Sequence, residues 1–213
     1  MLQSSGGGPA PIHLSERLFI SHGSERACYL HPHNPALVVK VPLFGRRKSQ
    51  ANWHEMKGYM LLCREGTDLS FFSHCRGFVS TDQGLGLLCD CVCDADGSVS
   101  RSIWDTVVLQ EDCDIAQILE LTKTFCNYLI DNRIWIFDIN SKNIVLRKHA
   151  DGSLHPCIID LKGRYANKEI LPFSRYFDYF SLKKLQRRSL QLFHRVADLY
   201  ERRGQVRQQI SQR

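Results

Sequence analysis

The sequence predicts an α+β chain: a first half of antiparallel strands around one helix, then a mainly helical second half that carries one hairpin. Three observations predict it. Between Leu18 and Leu43 short apolar runs alternate with turn residues, from Asn52 and again from Asp114 apolar residues recur at helical spacing, and a polar turn divides the two halves at Asp94-Ala95-Asp96-Gly97-Ser98. With 213 residues, 43% of them hydrophobic and 23% charged, the chain can bury a core in one domain or two small lobes. Disorder of the whole chain is excluded on that composition.

Met1 to Pro11 are small, polar and glycine-rich, without an apolar h-region or a helical period, and read as a disordered leader or an expression scar. The first lobe then covers residues 12–95. Its strongest strand is Leu37-Val38-Val39-Lys40-Val41, a β-branched run interrupted by one lysine. Asn52 to Glu65 follows as an amphipathic helix, with Trp53, Met56, Met60 and Cys63 at helical spacing and Asn52 as a candidate N-cap. Phe78-Val79-Ser80, the turn Thr81-Asp82-Gln83-Gly84 and Gly86-Leu87-Leu88-Cys89 form a hairpin.

The second lobe covers residues 96–213. Asp114 is a plausible N-cap for a long helix whose stripe is Ile115, Ile118, Leu119, Thr122, Phe125 and Leu129. Ile144-Val145-Leu146 and Cys157-Ile158-Ile159 are strands joined through the Asp151-Gly152 turn. A last helix runs from Tyr176 to Arg203, with Phe180, Leu185, Leu192, Phe193, Val196 and Leu199 on its apolar side and lysines and arginines opposite.

The nine cysteines are an odd number in a chain large enough to rest on its core, and most lie in apolar segments where a free thiol behaves as a small hydrophobe. They point to a reducing cytoplasm. Cys89-Asp90-Cys91-Val92-Cys93 puts three sulfurs on one face of a strand, too close together to wrap a tetrahedral ion without other ligands, and reads as a strand leading into the interlobe turn. No apolar run approaches the roughly 18 residues of a membrane span. A net charge of +6 suits polyphosphate, nucleic acid or an acidic surface without choosing among them; the basic face of the last helix reads as a solvated face, and nucleic acid is not a favoured partner.

The chemistry lies in Asp138-Ile139-Asn140-Ser141-Lys142-Asn143, an Asp-x-x-x-x-Asn loop between a long helix and a hairpin that ends in Ile159-Asp160-Leu161-Lys162-Gly163. Hard divalent cations take carboxylate and amide oxygens, so Asn143 and Asp160 are candidate magnesium ligands and Asp138 is left to orient or deprotonate an acceptor hydroxyl. The bland alternative is an Asx turn bonded to its own backbone. A phosphate-holding cation on a strand and a carboxylate on the next helix complete the set: Lys40 and Glu55, with Glu65 as the rival carboxylate. Lys40 can also be read as an edge-strand gatekeeper, Glu55 as a solvated helix residue, and Gly23 as an ordinary turn glycine.

With these residues in this order, the chain resembles the protein-kinase-like superfamily, and more closely the YrbL family of small bacterial kinase-like proteins, over roughly Leu14 to Arg203. The matching stretches are Gly23 to Tyr29 as the nucleotide-covering turn, Val38-Val39-Lys40-Val41 as the lysine strand, Asp138 to Asn143 as the catalytic loop and Ile159 to Gly163 as the metal-binding Asp loop. The resemblance implies a two-lobed kinase-like fold with a reduced helical C-lobe, nucleotide between the lobes, ATP and magnesium as cofactors, and transfer of the γ-phosphoryl group. Gly23, Lys40 and Glu55 would bind the nucleotide, Asn143 and Asp160 the metal, and Asp138 and Lys142 would serve the transfer. Ile136 and Phe137 replace the usual His-Arg, and no Ala-Pro-Glu segment follows Gly163, which favours a small-molecule acceptor over a peptide. The alternative is a pseudokinase or regulatory binding module that keeps the nucleotide and transfers nothing.

Overall fold

The computed structural model describes residues 10–43, 50–161 and 177–212. Residues 1–9 of the expected leader, Lys162 and Gly163 of the expected metal loop, and Tyr176 lie outside them. The architecture is mixed α+β, with a five-stranded antiparallel sheet, a two-stranded hairpin and five α-helices among the described residues. No described helix is long and apolar enough to cross a membrane.

The chain divides into two compact units, the described parts of Met1–Met56 with His74–Cys91, and of Lys57–Ser73 with Val92–Arg213. The first is built on β1 (Phe19–His22), β2 (Arg26–His31), β3 (Asn34–Pro42), β4 (Cys75–Thr81) and β5 (Gly84–Asp90), in the order β1-β2-β3-β5-β4. Helix α1 (Ala51–Arg64) begins in this unit and ends in the other.

Alternation along β3 gives the sheet two different faces. Val39 and Val41 are fully buried in a small cluster with Leu14 and Ala27, which Ile12, Tyr29, Val79 and Leu88 cover. The Ile12–Leu14 stretch is fixed there by backbone bonds from Ile12 N–H to the Ser80 carbonyl at 2.9 Å and from Asp82 N–H to the Ile12 carbonyl at 3.0 Å. Lys40, between the two valines, faces the other way. Gly86 on β5 has a packing reason to be glycine, because a Cβ there would stand 2.7 Å from Val39 Cγ1.

The second unit holds α2 (Ile103–Leu109), α3 (Ile115–Asp131), β6 (Ile144–Lys148), β7 (Leu154–Ile158), α4 (Asp178–Glu201) and α5 (Arg203–Ser211). Asp114 caps α3 by accepting from Gln117 N–H at 3.1 Å, and Ser102 caps α2 by accepting from Asp105 N–H at 3.0 Å. No helix is expected from the sequence at α2, whose seven residues make only about two turns. Phe125, Leu129, Ile118, Leu185, Leu192 and Val196 pack with Ile103 and Val107 into one core. Phe180, expected on the apolar side of the last helix, is 46% exposed.

The α3 terminus aims the segment that follows. Ile134 N–H reaches the Leu129 carbonyl at 2.8 Å, Arg133 N–H reaches that of Ile130 at 3.1 Å, and Arg133 takes φ 53°. This is a Schellman end with arginine in the left-handed position that glycine usually fills. It turns the chain into Ile134, Ile136 and Phe137, all buried.

Candidate functional site

In the first unit, sheet register and helix phase bring four polar side chains together. Arg26 and Cys28, two apart on β2, share a face, and Cys28 pairs with Lys40 across the ladder. Asn52 and Glu55, three apart on α1, share a face of the helix. Lys40 Nζ donates to Glu55 Oε1 at 2.6 Å, and Arg26 Nη1 donates to Glu55 Oε2 at 2.5 Å. Arg26 Nη1 also reaches Asn52 Oδ1 at 3.0 Å, while Asn52 Nδ2 donates to the Lys40 carbonyl at 3.0 Å and that of Leu85 at 3.3 Å.

Asn52 is therefore not an N-cap but a bracket between helix and sheet, and its register sets Glu55 against Lys40. Glu55 is 2% exposed and Lys40 7%. Between Glu55 and Glu65, it is Glu55 that meets Lys40. Arg26 was not singled out from the sequence; its place two residues before Cys28, whose neighbour across the ladder is Lys40, is the signal that could have found it. Burial pushes the Cys28 thiol up to about 11, with Lys40 pulling the other way.

Gly23 closes the β1–β2 turn, its N–H bonded to the Arg26 carbonyl at 2.9 Å. Among the described residues no heavy atom lies within 4 Å of where its Cβ would stand, so none of them requires glycine there.

In the second unit, Asp138 is half-buried between Phe137 and Ile139, both core residues. The loop beyond is held by Asn140, whose Oδ1 accepts from Lys142 N–H at 3.0 Å and Asn143 N–H at 3.1 Å. The Asx turn and the Asp-x-x-x-x-Asn pattern thus coexist: one asparagine shapes the loop, and the other is presented by it. Asn143 and Asp160, both half-buried, are brought to one end of the β6–β7 hairpin, where Ile159 N–H donates to the Asn143 carbonyl at 2.9 Å. Phe71–Ser73 flanks β7 and Arg101–Ser102 flanks β6, so neighbouring backbone braces both strands.

Lys142 is exposed, its Nζ 4.7 Å from the centroid of Trp104. Lys184 on α4, which the sequence reading did not pick, sets its Nζ 4.0 Å from the centroid of Phe137, the residue before Asp138. Spacing along the chain held no sign of that, since the two residues lie on separate elements.

Amide and carboxylate oxygens at Asn143 and Asp160 suit a hard divalent cation, and a buried lysine held by a carboxylate suits phosphate oxygens.

Residues 12–197 match the family described as PhoP regulatory network protein YrbL. An uncharacterized protein YrbL of Escherichia coli (strain K12) is 29% identical over 181 residues, 83% of each chain, and one of Shigella flexneri matches to the same extent.

Proposed function

We propose that this chain, which belongs to the family of the PhoP regulatory network protein YrbL, is a kinase-like phosphotransferase with a small-molecule acceptor. The observation that carries the reading is the buried Lys40–Glu55 pair at 2.6 Å. Isolated charges are costly to bury, and a lysine fixed by a helix carboxylate is the arrangement used to hold nucleotide phosphates. Fold alone would not support an activity; these side chains do.

Lys40 would hold the α and β phosphates, with Glu55 orienting it. Asn143 and Asp160 would offer oxygens to magnesium. Asp138 would position the acceptor hydroxyl and take its proton on a carboxylate oxygen. ATP with magnesium, when bound, supplies the phosphoryl group and neutralises its charge.

Thermal melts with magnesium and ATP, with magnesium and ADP, and with neither test the reading, since a ligand that binds only the folded chain raises its apparent stability by about 2.7 kcal/mol at a hundredfold excess over Kd. A magnesium-dependent rise in the wild type that Asp160→Asn abolishes is expected. No shift at millimolar ATP would refute nucleotide binding.

A second reading, a nucleotide-binding module without transfer, is favoured by Lys142 lying over Trp104 and by the single glycine of the β1–β2 turn. ATP turnover that Asp138→Ala abolishes, while the melt shift survives, would reject it.

A further inference from the structure

The same face of the first unit's sheet that carries Lys40 also carries two cysteines that the proposed function does not use. Cys75 on β4 and Cys89 on β5 are direct cross-strand partners. Asp90 N–H donates to the His74 carbonyl at 2.8 Å, so the ladder bond falls outside the pair and Cys75 and Cys89 are a non-hydrogen-bonded pair. Such pairs have the closer Cα spacing, about 4.5 Å, which lies inside the range a disulfide spans. Their sulfurs are 3.8 Å apart, and both residues are buried.

We propose that Cys75 and Cys89 are an oxidation site, a vicinal dithiol in space that hydrogen peroxide converts to a disulfide joining β4 to β5 beside Glu55. Cys89 Sγ donates to Cys75 Sγ across the pair, so the two sulfurs are already in contact and either can attack first. One of them, as thiolate, attacks a peroxide oxygen, the O–O bond breaks, and hydroxide leaves to become water with a proton from solvent. The other thiol then gives up its proton and attacks the sulfur of the resulting sulfenic acid; the S–S bond forms as the S–O bond breaks, and the second hydroxide leaves as water. Two thiols are oxidised and one peroxide is reduced to two waters.

Access follows from the topology. β4 is an edge strand, Cys75 is its first residue, and the register shifts between Cys75 and Gly77, where Gly77 takes φ 136°. A local opening at this irregular start of an edge strand admits a molecule as small as peroxide.

A metal is the other occupant such a cluster brings to mind, because Glu55 oxygen and both sulfurs lie within 4.8 Å of one another. Both Glu55 oxygens already accept from Lys40 and Arg26, at 2.6 and 2.5 Å, so a cation would have to displace two fixed positive groups. The dithiol needs no such displacement. The dithiol needs only the strand register and the two sulfurs, and forms whether or not a nucleotide binds.

The test uses the reduced full chain, treated with hydrogen peroxide, quenched, unfolded, alkylated and mapped by mass spectrometry. A linked peptide containing Cys75 and Cys89, two fewer alkylatable thiols than the nine of the reduced chain, and their return with dithiothreitol are expected. Cys75→Ala should abolish the loss of the pair, and the wild-type map decides the matter even if that variant does not fold. Cys75 and Cys89 remaining alkylatable while other cysteines oxidise would overturn the proposal. So would a stoichiometric metal ion carried through purification and released when the two thiols are alkylated.

Discussion

Replacing Glu55 by glutamine removes a carboxylate that both Arg26 and Lys40 reach, while keeping its volume. The side chains involved are 2%, 10% and 8% exposed, so little water can compensate either cation. Breaking a buried ion pair from one side costs about 3–5 kcal/mol, because the remaining charge stays buried. Lys40→Met is the informative contrast. It removes one cation, leaves Arg26 on Glu55 at 2.5 Å, and forfeits the charged hydrogen bond to Glu55, worth roughly 1.5–3 kcal/mol. For a chain of this size each kcal/mol moves the melting temperature by about 2–4 °C, so Glu55→Gln should lower it by roughly 6–20 °C and Lys40→Met by less. Urea unfolding followed by circular dichroism and thermal melts read the two changes independently. A Lys40→Met loss larger than that of Glu55→Gln, or a Glu55→Gln shift under roughly 3 °C, would refute the argument that Glu55 is the hub of the cluster.

Gly86→Ala should lose about 1–3 kcal/mol in urea unfolding, since its Cβ would meet Val39 Cγ1 at 2.7 Å, whereas Gly23→Ala should stay within about 0.5 kcal/mol. Arg133→Gly should raise the urea midpoint by the equivalent of roughly 1 kcal/mol, because φ 53° costs arginine what it does not cost glycine; a fall would show that the arginine side chain is needed. Burial, against the Ser70 hydrogen bond, holds the His155 pKa below its ordinary 6.5. The unfolded chain then binds the proton more readily, so this contribution is present above pH 6.5 and is lost as pH falls below it. Wild type should therefore lose stability relative to His155→Gln between pH 7 and 5, and parallel pH profiles would refute this.

Much of the local structure was legible because it depends on short-range rules. Asp114 caps α3 where a capping residue precedes an apolar stripe, and the Thr81–Gly84 turn closes its hairpin where turn residues separate two β-branched or apolar runs. What failed did so where an element was too short or where a partner distant in the chain decided the outcome. Asn52 carries a capping residue's oxygen, but that oxygen accepts from Arg26 while its amide donates to the Lys40 and Leu85 carbonyls, a use that depends on strands elsewhere in the chain. α2 was too short to show a period. The Cys-x-Cys-x-Cys run reads as one strand, but β5 ends at Asp90, and the neighbour of Cys89 is Cys75 on β4.

The sequence by itself determined the residue types available for chemistry, the order in which they come, and the alternation that turns Lys40 away from Val39 and Val41, since side-chain period is a property of the backbone. Only the tertiary structure decided which of them meet. That Glu55 rather than Glu65 reaches Lys40, that Arg26 shares the same carboxylate, that Lys184 covers Phe137, and that Cys75 faces Cys89 all follow from strand register and helix docking. Those are fixed by the packing of whole faces against one another, and a one-residue slip would change every pair without changing a single local propensity.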